Sequence, residues 1–276
     1  TNTGALMAQA AASSVNKDME SSMERLATGK RINGAADDAA GVAIASRLTS
    51  EIRGTNQAIR NAMDGQALID TAEGAHDEIE NILQRMRELA VQSANDTNDS
   101  NDRANLTAEV TALASEIDRI AAVTTWAGQG LLDAASGATN TFNLHVGSKV
   151  TANDYLAVSV SGMSSTLLSV SIGSSGIQVN SASNARSAIT AIDTAITSVN
   201  TQRAALGAIS NRLDSTVNNL TNISTNLQSG LSRIEDADFA AETTSLAKSQ
   251  ILQQASTAML AQANASKQNV LSLLQG

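Results

Sequence analysis

Between residues 189 and 234 the apolar positions Ile189, Ile192, Ile196, Val199, Leu206, Leu213, Val217, Leu220, Leu227, Leu231 and Ile234 fall on three- and four-residue steps. Arg203, Ser210 and Ser224 interrupt the stripe, and Gly207 and Gly230 are the only glycines inside it. The chain has no proline to break a helix. A stripe this regular predicts one helix with a continuous seam against partner helices. At ~1.5 Å per residue it would be roughly 70 Å long. Such a seam needs a partner of comparable length.

That partner is predicted between about residues 38 and 94. Leu48, Ile52, Thr55, Ile59, Ala62, Gln66 and Ile69 step by four and three, and the pattern resumes after one short step at Ala72, His76, Ile79, Leu83, Met86 and Ala90. The slip near Ile69–Ala72 would change the supercoil locally. Residues 95–101 form a polar break. A third helix follows, with Leu106, Val110, Leu113, Ile117 and Ile120 in step. From Trp126 glycines break the helical pattern. Residues 141–146, 156–160 and 168–172 alternate like strands, with turn-rich sequence between them. At the ends lie two weaker helices, about 5–28 and 239–274, rich in alanine and poor in large side chains. Helices this weak gain order from partners. The fold expected is mainly α: an elongated antiparallel coiled-coil-like helix bundle with its termini together and a small β-hairpin region at the middle of the chain.

Aromatic residues make up 1% of the 276, so a narrow bundle packed on Ala, Leu, Ile and Val fits better than a large globular core. A net charge of −9 provides no basic footprint, so nucleic acid is not an expected partner. No apolar run is long enough for membrane insertion, and no cleavable signal pattern opens the sequence. Export, if it occurs, is expected by another route. Without cysteine there is no disulfide, thiolate metal site or thiol nucleophile.

No enzyme constellation emerges, and no cofactor or metal is expected. His76 sits on the helix seam near Glu73, Asp77 and Glu80 and is expected to be a packed histidine; His145 is expected to be structural in a strand. Asp96, Asn98, Asp99 and Asp102 lack calcium-loop spacing and are expected to form a solvated turn with helix caps. Asp37 and Asp38 are expected to cap the second helix. Met7, Met19, Met23 and Met259 lie on the terminal helices and are expected to pack between subunits.

Several runs carry a family resemblance. Arg25-Leu26, Gly29, Arg31-Ile32-Asn33 and Asp37-Asp38-Ala39-Ala40-Gly41 resemble the amino-terminal signature of bacterial flagellins, as does the run from Gln84 to Asn95. Residues 232–239, 250–255 and 269–274 resemble the carboxy-terminal pattern. Trp126-Ala127-Gly128 stands where the family usually has Phe-Asn-Gly, and the start of the sequence looks trimmed relative to the family, which leads us to expect poor polymerisation. The resemblance implies a filament subunit for swimming motility, a helical homopolymer exported unfolded through the flagellar type III channel to the outside of the cell. It implies an export chaperone and hook-associated and cap proteins as partners. The implied organisation is 1–34 and 235–276 as inner-tube helices, 35–125 and 185–234 as the halves of a rod domain, and 126–184 as its hairpin region. Leu6, Met19, Met23, Leu26, Phe239, Leu246, Leu252, Met259, Val270 and Leu273 are the expected polymerisation residues. Gln84, Arg85, Leu89, Gln92 and Glu109 align with a surface that contacts an innate-immune Toll-like receptor, with Arg85 and Leu89 expected to share one face as a charged and an apolar anchor. The alternatives are a flagellin-like cell-surface protein binding a polymer or host surface through 135–185, and a hook–filament junction protein.

Overall fold

The computed structural model describes residues 2–133, 139–171 and 177–275; for Ala152 and residues 266–275 only the backbone is described. In chain order the elements are α1 (Thr3–Thr28), α2 (Ala39–Ser93), α3 (Ser100–Val123), β1 (Thr125–Trp126), β2 (Gln129–Gly130), β3 (Thr139–His145), β4 (Tyr155–Ser161), α4 (Ala182–Glu235) and α5 (Phe239–Gln275). They divide into two units, Thr1–Ile52 with Thr225–Gly276, and Arg53–Ser224.

In the Arg53–Ser224 unit the stripe of α4 does what its spacing requires. Ala185, Ile192, Val199, Leu206, Leu213 and Leu220 are buried, one in every seven residues. All but Leu220 share a core with Leu68, Ile69, Ala72, Ile79, Leu83 and Met86 of α2 and with Val110, Ala114 and Ile117 of α3. The interruptions have partners or an edge position. Ser224 donates to Asn56 Oδ1 at 2.9 Å, and Arg203 reaches three carboxylates of α2.

The face of α2 departs from expectation at Leu48, Ile59 and Gln66, which are only half-buried; Ala58 and Leu68 are buried instead. The β-hairpin accounts for part of the change. The Asn61 side chain donates to the His145 carbonyl at 2.8 Å, and Leu144 lies over Gly65, where a Cβ would stand 2.1 Å from its Cδ1. The helix presents small residues to the hairpin there, and Gln66 moves to the rim beside Asp214.

β3 and β4 pair antiparallel, Phe142 opposite Val158 and Leu144 opposite Leu156, with Leu156, Val158 and Val160 turned into the core. The expected third strand is not one. Residues 165–169 form a turn, pinned where the Ser165 N–H and hydroxyl donate to Asp118 at 2.8 and 2.9 Å. Leu168 and Val170 are both buried, so their alternation reports a turn tucked into the core; Ile172 lies outside the described residues.

Sequence reading also missed the two-residue hairpin β1–β2. Its turn residues both have positive φ, 49° at Ala127 and 81° at Gly128. That turn shape favours Asn-Gly, because a Cβ-bearing residue other than Asn or Asp is costly in the left-handed region. Ala127→Asn should therefore raise stability by about 0.5–1 kcal/mol. Urea denaturation followed by Trp126 fluorescence checks this; an unchanged or lower midpoint counts against it.

Helix starts are capped as aspartates allow, with one correction. Asp38 accepts the Gly41 N–H at 2.8 Å and caps α2, but Asp37 does not; it accepts the N–H groups of Asn33 and Gly34. The Gly34 bond, then the Asn33 bond, holds its carboxyl below the usual range. Asp99 caps α3 reciprocally with Asp102. Asp96 lies 3.7 Å from Arg103, and the Asn98 amide donates to the Gln92 carbonyl.

Candidate functional site: the terminal helix pair

Within the unit made of both chain ends, α1 and α5 run antiparallel. Asn2 donates to the Ala263 carbonyl at 3.1 Å, Gln253 to Asn16 at 2.9 Å, and Arg25 stands 3.8 Å from Glu242. The pair is closed by small residues. Among the described side chains of the two helices, only Ser22 and Ser249 are fully buried.

Next to the pair, the stretch after α1 meets the junction between α4 and α5. Lys30 bridges to Asp236, Arg31 N–H donates to the Glu235 carbonyl at 2.6 Å, Ala237 N–H to the Gly29 carbonyl at 2.9 Å, and the Lys30 ammonium pairs with Glu235 at 2.5 Å. Gly29 ends α1 with φ 73°, in the left-handed region that glycine enters freely. Gly41 lets the buried Ile32 pack directly on α2; a Cβ would come within 2.6 Å of Ile32 Cδ1. Two of the runs that carry the family resemblance are thus the two sides of one junction.

Several large apolar side chains of α1 and α5 are not used in closing the pair, although Val15, Met19, Leu26, Leu246 and Leu260 are half-buried. Leu6, Met7 (73% exposed) and Met23 stand open on α1, and Phe239, Ile251 (67%), Leu252 and Met259 (64%) on α5. Of the expected polymerisation residues, Leu6, Met23, Phe239, Leu252 and Met259 are exposed and Met19, Leu26 and Leu246 half-buried; the side chains of Val270 and Leu273 lie outside the described residues. Ile251 was missed: sequence analysis named its neighbour Leu252, and both prove exposed. Full burial of each of these side chains would contribute about 1.5–3 kcal/mol, so this face is a strong acceptor for other apolar surface.

The second group of candidates is elsewhere, on α2 and α3. Gln84, Arg85, Gln92 and Glu109 are exposed. Arg85 donates to Glu109 at 2.7 and 3.0 Å and to Glu88 at 3.0 Å. Leu89 is not beside it on the surface: at 1% exposed it belongs to the core with Val110. The expected pairing of a charged and an apolar anchor on one face is therefore corrected: about one turn of α2 separates the two residues, and it carries Leu89 into the core while Arg85 stays in solvent.

His76 is fully buried, and neither ring nitrogen has a hydrogen-bond partner. Burial pushes its pKa down to about 4, Glu73 opposing and Arg203 assisting. The carboxylates that might have joined it at a metal, Glu73, Asp77 and Glu80, are taken by Arg203; the first two lie 2.7 and 3.4 Å from its guanidinium. His145 is half-buried and packs against Tyr155 with ring centroids 4.8 Å apart and planes tilted by 52°.

A helix pair that leaves its large apolar residues open is a protein built to be completed by association, a self-assembling helical subunit. Comparison with known proteins gives the family. Residues 1–137 match the bacterial flagellin N-terminal helical region and residues 189–274 the bacterial flagellin C-terminal helical region. A flagellin of Halalkalibacterium halodurans is 46% identical over 93% of this chain and 92% of its own. The flagellar filament 33 kDa core protein of Treponema phagedenis is 40% identical over 99% and 98%. Among solved structures, Bacillus cereus flagellin aligns with a TM-score of 0.48 and 32% identity over 62% of this chain and 94% of its own. The chain belongs to the bacterial flagellin family. It is a structural, non-enzymatic subunit that polymerises with copies of itself into the flagellar filament outside the cell.

Proposed function

We propose that the α1–α5 pair is the polymerising element, covered in the filament by the same pair of neighbouring copies. The observation that carries this is that Leu6, Met7, Met23, Ile251, Leu252 and Met259 stand exposed on a pair whose only buried described side chains are Ser22 and Ser249. A repeated contact between unlike faces of identical subunits does not close on itself and so builds a helix. In this reading residues 1–34 and 235–276 supply the inner-tube helices, and 35–125, 126–184 and 185–234 supply the rod domain with its hairpin. The low content of large side chains in α1 and α5 suits a chain that stays unfolded during type III export, escorted by an export chaperone and met outside by hook-associated and cap proteins. Hydrogen exchange compared between free subunits and filaments tests it. Residues 3–28 and 239–265 should exchange faster in the free subunit and become protected on assembly; equal protection in both states would overturn it.

The exposed group Gln84, Arg85, Gln92 and Glu109 supports a secondary reading, recognition of the free subunit by the innate Toll-like receptor. Arg85→Glu probes it cleanly, because Arg85 is exposed while Leu89→Ala would open the core. The expected result is a loss of receptor signalling at unchanged thermal stability; undiminished signalling would reject the surface.

A further inference from the structure

The methionines divide by depth. Met86 and Met163 are buried in the core of the Arg53–Ser224 unit, Met19 is half-buried on α1, and Met7, Met23 and Met259 stand exposed on the terminal helix pair with Met63 exposed on α2. The chain has no cysteine, so no thiol competes with these thioethers for an oxidant. Oxidation turns a flexible apolar side chain into a polar one and disrupts methionine-rich interfaces.

We infer that Met7, Met23 and Met259 form an oxidation-sensitive control on assembly: hydrogen peroxide converts them to sulfoxides in the free subunit and so blocks its addition, while a subunit already in the filament is protected. This rests on the reading that the α1–α5 pair is covered in the filament. In the step itself a sulfur lone pair attacks one peroxide oxygen. An S–O bond forms as the O–O bond breaks, the sulfur loses two electrons, and the peroxide is reduced to water. No cofactor is needed. The consequence follows from position. Three sulfoxides would place three strongly polar S=O groups on a helix pair that assembly must cover, each at the cost of its hydration. The fold of the Arg53–Ser224 unit is spared, because its inward methionines are out of reach of the oxidant.

The experiment treats the full chain with hydrogen peroxide, free and as filaments. Peptide mass spectrometry locates the added oxygen, and growth from sheared filament seeds gives the elongation rate. In the free subunit Met7, Met23, Met259 and Met63 should be oxidised and Met86 and Met163 not. Oxidised subunits should elongate seeds at least about tenfold more slowly, equivalent to about 1.4 kcal/mol. Methionine sulfoxide reductases should restore the rate. A variant with Met7, Met23 and Met259 all changed to Leu should grow after peroxide at its own untreated rate, which separates these sites from Met19 and Met63; the reductase arm needs no variant. Subunits carrying all three sulfoxides that elongate at the untreated rate would overturn the inference, as would a Leu variant still slowed by peroxide. If the three sites oxidise as fast in filaments as in free subunits, the covering of the helix pair itself is wrong. If filaments protect them yet oxidised subunits grow normally, only the oxidative control falls.

Discussion

Aspartate at both Ile251 and Leu252 should abolish filament growth while leaving the free subunit as well folded as before. Both residues are exposed on α5 in the free chain, so the substitutions remove no internal core. Surface changes of this kind usually alter stability by no more than about 0.5 kcal/mol. The filament meets a different environment. If α5 is covered by other copies, each subunit must bring two carboxylates out of water with no cation provided, at an effective penalty of several kcal/mol per ion. Since about 1.4 kcal/mol is tenfold in an equilibrium constant, the loss of affinity for the filament end should exceed roughly a thousandfold. The conservative control, Ile251→Leu with Leu252→Met, keeps the apolar face and should polymerise. Circular dichroism verifies that the variants retain helix, and seeded growth followed by light scattering reads the effect. Normal elongation by the double aspartate variant would mean that this side of α5 faces solvent in the filament, and the polymerising role would have to move elsewhere.

The parts of this architecture that could be seen in the sequence are those where one pattern has one cause. α4 packs along one seam of the Arg53–Ser224 unit, and its seven-residue spacing from Ile192 to Leu220 translates directly into buried positions. α2 has to satisfy more than one neighbour. Its face turns at Ala58, Ala62 and Gly65 to admit the hairpin, so a period fitted through Leu48, Ile59 and Gln66 selects the wrong residues there. The Leu168–Ser171 stretch shows the same limit at short range: two buried apolar residues one apart look like a strand, whether strand or turn carries them. The β1–β2 hairpin was hidden because Ala127 occupies a position whose usual signal is asparagine. At the candidate assembly surface the signal was partial: Met7, which sequence analysis expected to pack between subunits, and Ile251, which it did not name, are the most exposed large apolar residues among the described side chains of the two terminal helices. Leu89 is the opposite case. It does lie one helical turn from Arg85, but four-residue spacing alone cannot say which of two neighbouring residues sits at the edge of a buried face.

Acidification should weaken the Arg53–Ser224 unit through His76. In the folded chain burial lowers the pKa of this ring to about 4, from an ordinary value of 6.5. As pH falls, the unfolded chain therefore takes up the proton first, and the equilibrium shifts towards it. The stability tied to the neutral ring is complete above pH 6.5 and is lost progressively down to pH 4. A shift of this size corresponds to about 3 kcal/mol in all, with about 2 kcal/mol gone between pH 7 and pH 5. The folded ring recovers only part of that loss locally: Glu73 and the Ala72 backbone favour the charged form, but burial outweighs them, Arg203 repels that form, and the Glu73 carboxylate is shared with Arg203. Other carboxylates add their own pH dependence, so the informative quantity is a difference. His76→Leu keeps an apolar side chain on the seam and leaves no buried ring nitrogen unsatisfied, so it should match or exceed the parent chain at pH 7 and exceed it by about 2 kcal/mol more at pH 5. Trp126, the only tryptophan, lies in the same unit and reports its unfolding in urea. Parallel stability profiles for the two proteins from pH 7 to pH 5 would show that His76 is not the group that makes this core sensitive to acid.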